Sequence, residues 1–468
     1  MIIRVFFVVC FWILTPILSH AAAHYITPAG AGGNTGADWS NAFAGIPATL
    51  TRGDTYYLSE GDYGTYTANE AVSGTSRIII KKCGTGDGTC EAAAGYSAAS
   101  HDGQAVFSQI TFSTHYWTLD GGSRTDWDSG HGILVYNSDI GIKGITATSI
   151  DNLIIQYVEI DNNSTDGCRP GYNDGKEGIY APTGADNNLI QYCYIHDSVG
   201  NLSRMYGSNN TYQYNLFARS ANWEGVHGAA IQEYTGLNGT AGQTTNLVIR
   251  YNIFEDIGGT AAVNIAGDND GVDVYGNVFF WTGATYPYSL SSVQSNQTYY
   301  TSPATIVDIS SSESGEAGLI NLRVYNNTFY AAPNGASGGA GFAVYLTSDS
   351  TTNHFYNNYF FDCPRVILDQ VDADHDYNYF NNSTILTGGL QTNETSVNGS
   401  DPTVNAASYN YRFSVKGPAG LALSSPYSST DPDGRTRGAD SDWDIGAYEY
   451  VSGVGVATRY AVRAVTNE

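Results

Sequence analysis

The stretch WEGVHGAAIQE, Trp223 to Glu233, gathers Glu224, His227 and Glu233, with Lys176 and Arg204 upstream and the acidic run GDNDGVD, carrying Asp268, Asp270 and Asp273, downstream. Such residue types suit two chemistries. Removing a proton beside a uronate carboxylate needs a base and a cation that steadies the enolate-like intermediate; His227 fits the first role and Arg204 the second, with Lys176 as the alternative cation. Hydrolysis of a glycosidic bond needs two carboxylates, about 5 to 5.5 Å apart for retention or about 6.5 to 9.5 Å for inversion. Glu224 with Asp268, or Glu233 with Asp308, can form such a pair. Asp268, Asp270 and Asp273 offer oxygen ligands of the kind Ca²⁺ takes, without the full twelve-residue calcium loop. The plainer reading is a histidine bonded beside a turn and solvated carboxylates on an acidic protein.

These residues converge only if the chain stacks them. Seven phrases repeat: IQYVEI at 155, IQYCYI at 190, YQYNLF at 212, IRYNIF at 249, VYGNVF at 274, VYNNTF at 324 and FYNNYF at 355. Their first and sixth columns are apolar throughout, and the fourth reads Val158, Cys193, Asn215, Asn252, Asn277, Asn327 and Asn358. Repetition of a phrase at this period marks a solenoid whose units bury their apolar faces only by stacking. The phrases are β-branched and aromatic and lack a helical stripe, so each is strand-like. The shortest unit holds three short strands and three turns, one coil of a parallel β-helix. An Asn column suits this design, because Asn tolerates left-handed turns and its side chains hydrogen-bond along a stack. Cys193, in that column, is expected to be a buried, unpaired thiol.

Between the phrases lies another strand per coil, from GIYAP at 178 to VILDQ at 366. Alternation predicts Tyr180, Tyr206, Gln232, Asn264 and Asp308 on its outer side, a stripe of aromatic and amide groups suited to sugar rings, with Trp223 added to the contact surface. Long polar insertions at 164 to 177 and 283 to 303 are placed to wall such a groove. A solvated sheet face is the alternative.

Here the chain resembles the pectate-lyase-like, right-handed parallel β-helix superfamily over most of its length. HYITPAGAGGNTGADWSNAFAGIPATLTRGDTYYLSEGDYG, from residue 24, resembles the family's N-terminal start, with a capping helix near Trp39 to Leu50. DPDGRTRGADSDWDIGAYEY, from residue 431, resembles the closing segment of exported β-helix proteins of the choice-of-anchor Q type. The implied fold is all-β, a single-stranded right-handed parallel β-helix over 24 to 400, with a closing segment at 401 to 450 and a tail at 451 to 468. The resemblance also implies Lys, Arg or carboxylate-bound Ca²⁺ at the reaction centre.

The first 23 residues carry one Arg, an apolar run and an Ala-x-Ala site, the pattern of a secretory signal peptide. No later run is long enough to span a membrane. The balance of 20 basic against 45 acidic residues, net −25, argues against nucleic acid as a partner. Cys83 and Cys90 flank a Gly-rich turn and are expected to pair; Cys168, Cys193 and Cys363 are an odd set. The sequence thus reads as a secreted protein that binds an extracellular polysaccharide along its groove and cleaves it by β-elimination, with a two-carboxylate hydrolase and a non-catalytic adhesin or matrix rod as alternatives.

Overall fold

The computed structural model describes residues 21–136, 144–162, 177–182, 184–198, 200–220, 228–235, 244–257, 261–267, 269–281, 304–308, 319–330, 352–363, 366–367, 374–383, 385–387, 389–405 and 408–450. The chain winds as a right-handed parallel β-helix. One coil shows the plan: Leu189–Gln191 lies on a first face, Tyr194–Ser198 on a second and Ser203–Met205 on a third, after which Thr211–Gln213 returns to the first. The first face forms a 13-stranded sheet. The second and third are continuous in an 18-stranded sheet, because near the N-terminus one strand, Ala105–Phe112, bends through both and pairs with Ile133–Tyr136 and then Ile145–Thr146.

The repeated phrases are rungs. Ile155, Ile190, Tyr212 and Ile249 stack inside the first face and are buried. Inside the second, the rings of Phe217, Phe254, Phe279, Phe329, Phe360 and Phe380 lie parallel, with centroids 5.2, 4.8, 4.8, 4.6 and 5.1 Å apart. Offset aromatic stacking at this spacing adds to the burial of each ring.

The Asn column forms a ladder at the corner between the first and second faces. Each backbone N–H donates to the Oδ1 of the next rung, Asn215 to Asn252 at 3.0 Å, Asn252 to Asn277 at 2.9 Å and Asn277 to Asn327 at 3.0 Å. The side-chain amides donate to carbonyls of the coil before, as Asn277 Nδ2 does to Ile249 O. The left-handed residue at this corner is not the Asn but its predecessor: Tyr157, Tyr192, Tyr214, Tyr251, Asn326 and Asn357 all have φ between 51° and 60°. A left-handed residue turns the chain, which leaves the following Asn pointing inward to satisfy the amides that the corner strips of partners. Cys193 stands in for an Asn here. Its Sγ donates to Ile155 O and Gln191 O, so it reproduces the donor half of an Asn side chain; burial pushes its thiol up to about 12. It is buried and unpaired; Cys363 is buried too, and Cys168 lies outside the described residues.

At the N-terminus the helix expected over Trp39 to Leu50 is a three-residue 3-10 turn, Trp39–Asn41. Phe43, Ile46 and Leu50 cover the end of the core instead. Trp39 is buried beside the Cys83–Cys90 disulfide and donates from Nε1 to Cys90 O at 2.9 Å. Residues 408 to 450 run back along the flank of the cylinder. Tyr411 and Tyr448 pack over Leu216, Ile253 and Val278 on the second face, and Thr430 O accepts from Tyr251 OH at 3.0 Å. Within this strap the Asp431 carboxylate folds its turn by accepting from the amides of Asp433 and Arg435. Among the described residues no helix is long and apolar enough to cross a membrane.

Candidate functional site

Strand pairing on the third face aligns Thr146, Tyr180, Arg204, Gln232, Asn264 and Val307 on successive coils. Their strand neighbours Ile179, Ser203, Met205, Ile231 and Val263 are buried, so alternation turns this column outward. Arg204 is the cation of the column, with 33% of its side chain exposed. Its Nε donates to Tyr206 OH at 2.7 Å and its Nη1 to Glu177 Oε1 at 3.2 Å, and its Cζ lies 5.7 Å from the Tyr180 ring and 5.4 Å from that of Tyr206. Burial lowers its affinity for the proton, but Tyr206 and Glu177 outweigh this and hold the guanidinium above its ordinary range. Nη2 makes no hydrogen bond among the described residues. Glu177 is buried at the start of the strand, where Asn201 Nδ2 also reaches it, and Asn201 binds Gln232 Oε1 at 2.7 Å. The guanidinium is thus held from behind with one edge presented outward.

The structure revises several sequence-predicted positions. The outward partner of Tyr180 is Arg204, and Tyr206 stands two residues further along the strand, bonded to Arg204. Gln232 and Asn264 keep the outward register yet are buried, so the stripe is accessible at its Tyr180–Arg204 end. Asp308 pairs at the level of Ile265 and Glu233, one residue out of the expected column, which Val307 occupies. Asp270 and Asp273 belong to the first face, away from Arg204; Asp270 accepts from Asn321 Nδ2 and Asp273 is clamped by Arg323 on both oxygens. Lys176, Trp223, Glu224, His227 and Asp268 lie outside the described residues.

Glu233 points into the cylinder. It is 1% exposed, Thr244 Oγ1 donates to its Oε1 at 2.9 Å, and Oε2 has no hydrogen-bond partner among the described residues. A carboxylate cannot be solvated there, so burial holds the acid protonated, well above its ordinary range. The stabilising proton is fully bound in both states below the ordinary glutamate range. As pH rises past it, the unfolded chain loses that proton first, and stability falls until the folded value is reached, by up to about 1.4 kcal/mol per pH unit. Glu233→Gln is therefore expected to flatten the decline of the urea midpoint between pH 5 and pH 8; an unchanged slope contradicts a buried neutral acid.

A second charged group, not anticipated from sequence, lies on the second face at the same coils. His196 Nδ1 is 2.6 Å from Asp197 Oδ2, and its Nε2 is 3.4 Å from Glu159 Oε1. Arg219 donates to Asp197 from Nε at 2.8 Å and from Nη2 at 2.7 Å, and to Tyr194 OH at 2.6 Å. Burial opposes the His196 charge, but hydrogen bonds to Asp197 and Glu159 prevail and raise it; burial likewise opposes the Asp197 charge, but Arg219 and His196 bring it to about 2. The signal was a set of charged or polar residues just after the phrase on successive coils, Asp161, His196 with Asp197, and Arg219. Asp161, His196 and Asp197 place ligand-type atoms within 4.8 Å of one another. A cation there has to displace the Arg219 guanidinium, and one imidazole with two carboxylates falls short of the six to eight oxygens of calcium. Neither this group nor the engaged Asp270 and Asp273 fits Ca²⁺.

No known family model matches the chain, and no curated protein sequence is significantly similar to it. Among solved structures, the pectate lyase Pel9A superposes with a TM-score of 0.52 at 13% identity, over 91% of this chain and 96% of that one. An alginate lyase from a Paenibacillus species gives 0.40 at 14% identity over 75% and 94% of the two chains, and a rhamnogalacturonan lyase 0.42 at 14% over 80% and 85%. At such identities the likeness to the pectate lyase is one of fold, and it extends over nearly the whole of both chains: this protein is a parallel β-helix similar in architecture to that enzyme.

Proposed function

We propose that this is an exported polysaccharide lyase that grips a uronate-containing chain on its third face and cleaves it by β-elimination. The observation that carries the reading is Arg204, a guanidinium fixed at Nε and Nη1 with Nη2 unbonded among the described residues, standing outward beside the half-exposed Tyr180. Arginine matches a planar carboxylate in geometry and charge. In this scheme Arg204 binds the uronate carboxylate and stabilises the charge that develops on it as the α-proton leaves. His227 takes that proton. The bond from C4 to the glycosidic oxygen breaks, a double bond forms between C4 and C5, and the leaving oxygen takes a proton from Tyr206, whose phenol burial keeps protonated. Tyr180 supports the neighbouring sugar ring. No step is routed through calcium.

The hydrolytic alternative loses one of its two pairs, since the Glu233 carboxyl lies inside the cylinder. Incubation with pectins, alginates, glycosaminoglycans and neutral glycans decides between the chemistries. Elimination yields new reducing ends together with the ultraviolet absorbance of the unsaturated product. Reducing ends without absorbance replace the lyase by a hydrolase, and neither signal on any glycan leaves the rod.

A further inference from the structure

The corner between the first and second faces carries a set of groups that the cleavage reading does not use. Tyr157, Tyr192 and Tyr214 stack on successive coils with centroids 4.9 and 5.1 Å apart. They are half-exposed, and their hydroxyls make no hydrogen bond among the described residues. Beside them on the first face an amide chain runs from Gln213 Nε2 to Gln191 Oε1 and from Gln191 Nε2 to Gln156 Oε1, each at 2.7 Å.

Two arginines frame this surface. Arg124 lies with its Cζ 4.2 Å from the Trp127 ring centroid and 5.4 Å from that of Tyr192, and donates from Nη1 to Tyr214 O at 2.9 Å. Arg250 donates from Nε to Gln213 Oε1 and from Nη1 to Tyr275 OH, and lies 5.5 Å from the Tyr251 ring. Both are half-exposed, neither forms an ion pair among the described residues, and each keeps Nη2 unbonded there. Arg204, Arg219, Arg323, Arg412, Arg435 and Arg437 all pair with carboxylates, and Arg52 spends all three guanidinium nitrogens on backbone carbonyls and Thr114; Arg77 is the other described arginine with no ion pair and a free Nη2 among the described residues. In a chain of net charge −25, two guanidiniums without a counter-ion among the described residues, flanking one stack of tyrosines, point to an anion from outside.

We propose that this corner is a second, non-catalytic binding surface for an acidic polysaccharide of the uronate class. Tyr192 and Tyr251 are two coils apart, so the two cations sit roughly 10 Å from one another at about 4.8 Å per strand, a separation suited to carboxylates on alternate sugars of an extended chain. The phenol hydroxyls and the amide chain between them match sugar hydroxyls. An acidic peptide offers the charge without the hydroxyls. The surface lies on a different corner from Arg204, so it anchors the protein to a polymer whether or not the third face cleaves it.

The test is affinity electrophoresis of the whole protein through gels containing polygalacturonate, alginate or polyglutamate. Arg204→Ala is expected to remain retarded by a polyuronate. Arg250→Gln, and Arg124→Gln with Arg250→Gln, are expected to lose affinity by roughly tenfold or more, with unchanged turnover of short oligosaccharides by any activity the third face has. Arg124 packs between rings, so thermal melts accompany each variant, and Arg250→Lys, which keeps the charge, should restore part of the retardation. Unchanged retardation of the folded Arg250→Gln variant overturns the proposal. Equal retardation by polyglutamate also overturns it, in favour of an acidic protein partner.

Discussion

Replacing Arg204 by alanine is expected to lower kcat/KM on a uronate polymer by about 10² to 10³, the usual cost of deleting one group that stabilises developing negative charge. The loss should fall mainly on kcat, since the enolate-like intermediate carries more charge than the ground-state carboxylate. Alanine also strips a partner from Glu177, which is buried and holds the guanidinium at 3.2 Å. Taking the cation from a buried carboxylate costs stability, so the variant needs a melt alongside the rate. Arg204→Lys separates the effects: it keeps the charge near Glu177 but cannot bond Tyr206, Glu177 and a carboxylate with one planar fork. It is expected to fold like the parent and to recover only part of the rate. Full activity in a folded Arg204→Ala protein removes Arg204 from the mechanism, whatever glycan is cleaved.

The largest stability effect is expected in the Asn ladder. Asn277 Oδ1 accepts from the backbone N–H of Asn252 at 2.9 Å and from its Nδ2 at 3.1 Å, while its own Nδ2 donates to Ile249 O and Asn327 Oδ1. All of these rungs are buried. Asn277→Ala takes a partner from the Asn252 N–H and from the Ile249 carbonyl, at about 1–3 kcal/mol for each unsatisfied group, hence a loss of about 2–6 kcal/mol. That is a large part of the margin of a typical domain. Because coils contact only their neighbours, the damage should be local, with hydrogen exchange accelerated first at Asn252 and Ile253. Asn277→Cys should cost less, since the Cys193 thiol already donates to the same kind of carbonyl. A urea midpoint unchanged by Asn277→Ala would show that the ladder is decoration.

Much of the architecture was legible in the residues because a solenoid writes its geometry into spacing. The apolar columns that contain Ile190 and Phe254 had to face inward on every coil, and the recurrence of Asn at one place had to mark a corner. The Asn side chains stack as expected, but the left-handed conformation falls on the preceding residue, Tyr in four of the rungs from 157 to 251. Tyrosine gave no conformational signal there, since outward stacking rather than backbone preference selects it.

Sequence by itself determined the coil, its strands, the Asn ladder, the local disulfide and the presence of Arg204 near a polar outer face. Each follows from period, alternation or nearest neighbours, which a chain displays along its length. Only the tertiary structure decided the register of the third face and, with it, which side of a thin wall each group takes. A shift of one residue moved Val307 into the place expected for Asp308, because a strand exchanges its two sides at every residue, and a shift of two paired Arg204 rather than Tyr206 with Tyr180. It also decided which charged groups meet across the sequence: Glu177 with Arg204, Glu159 with His196, Asp197 with Arg219 and Asp273 with Arg323, and no carboxylate among the described residues with Arg124 or Arg250. Ion pairing depends on which coils become neighbours, and insertions of unequal length between coils conceal that from the sequence.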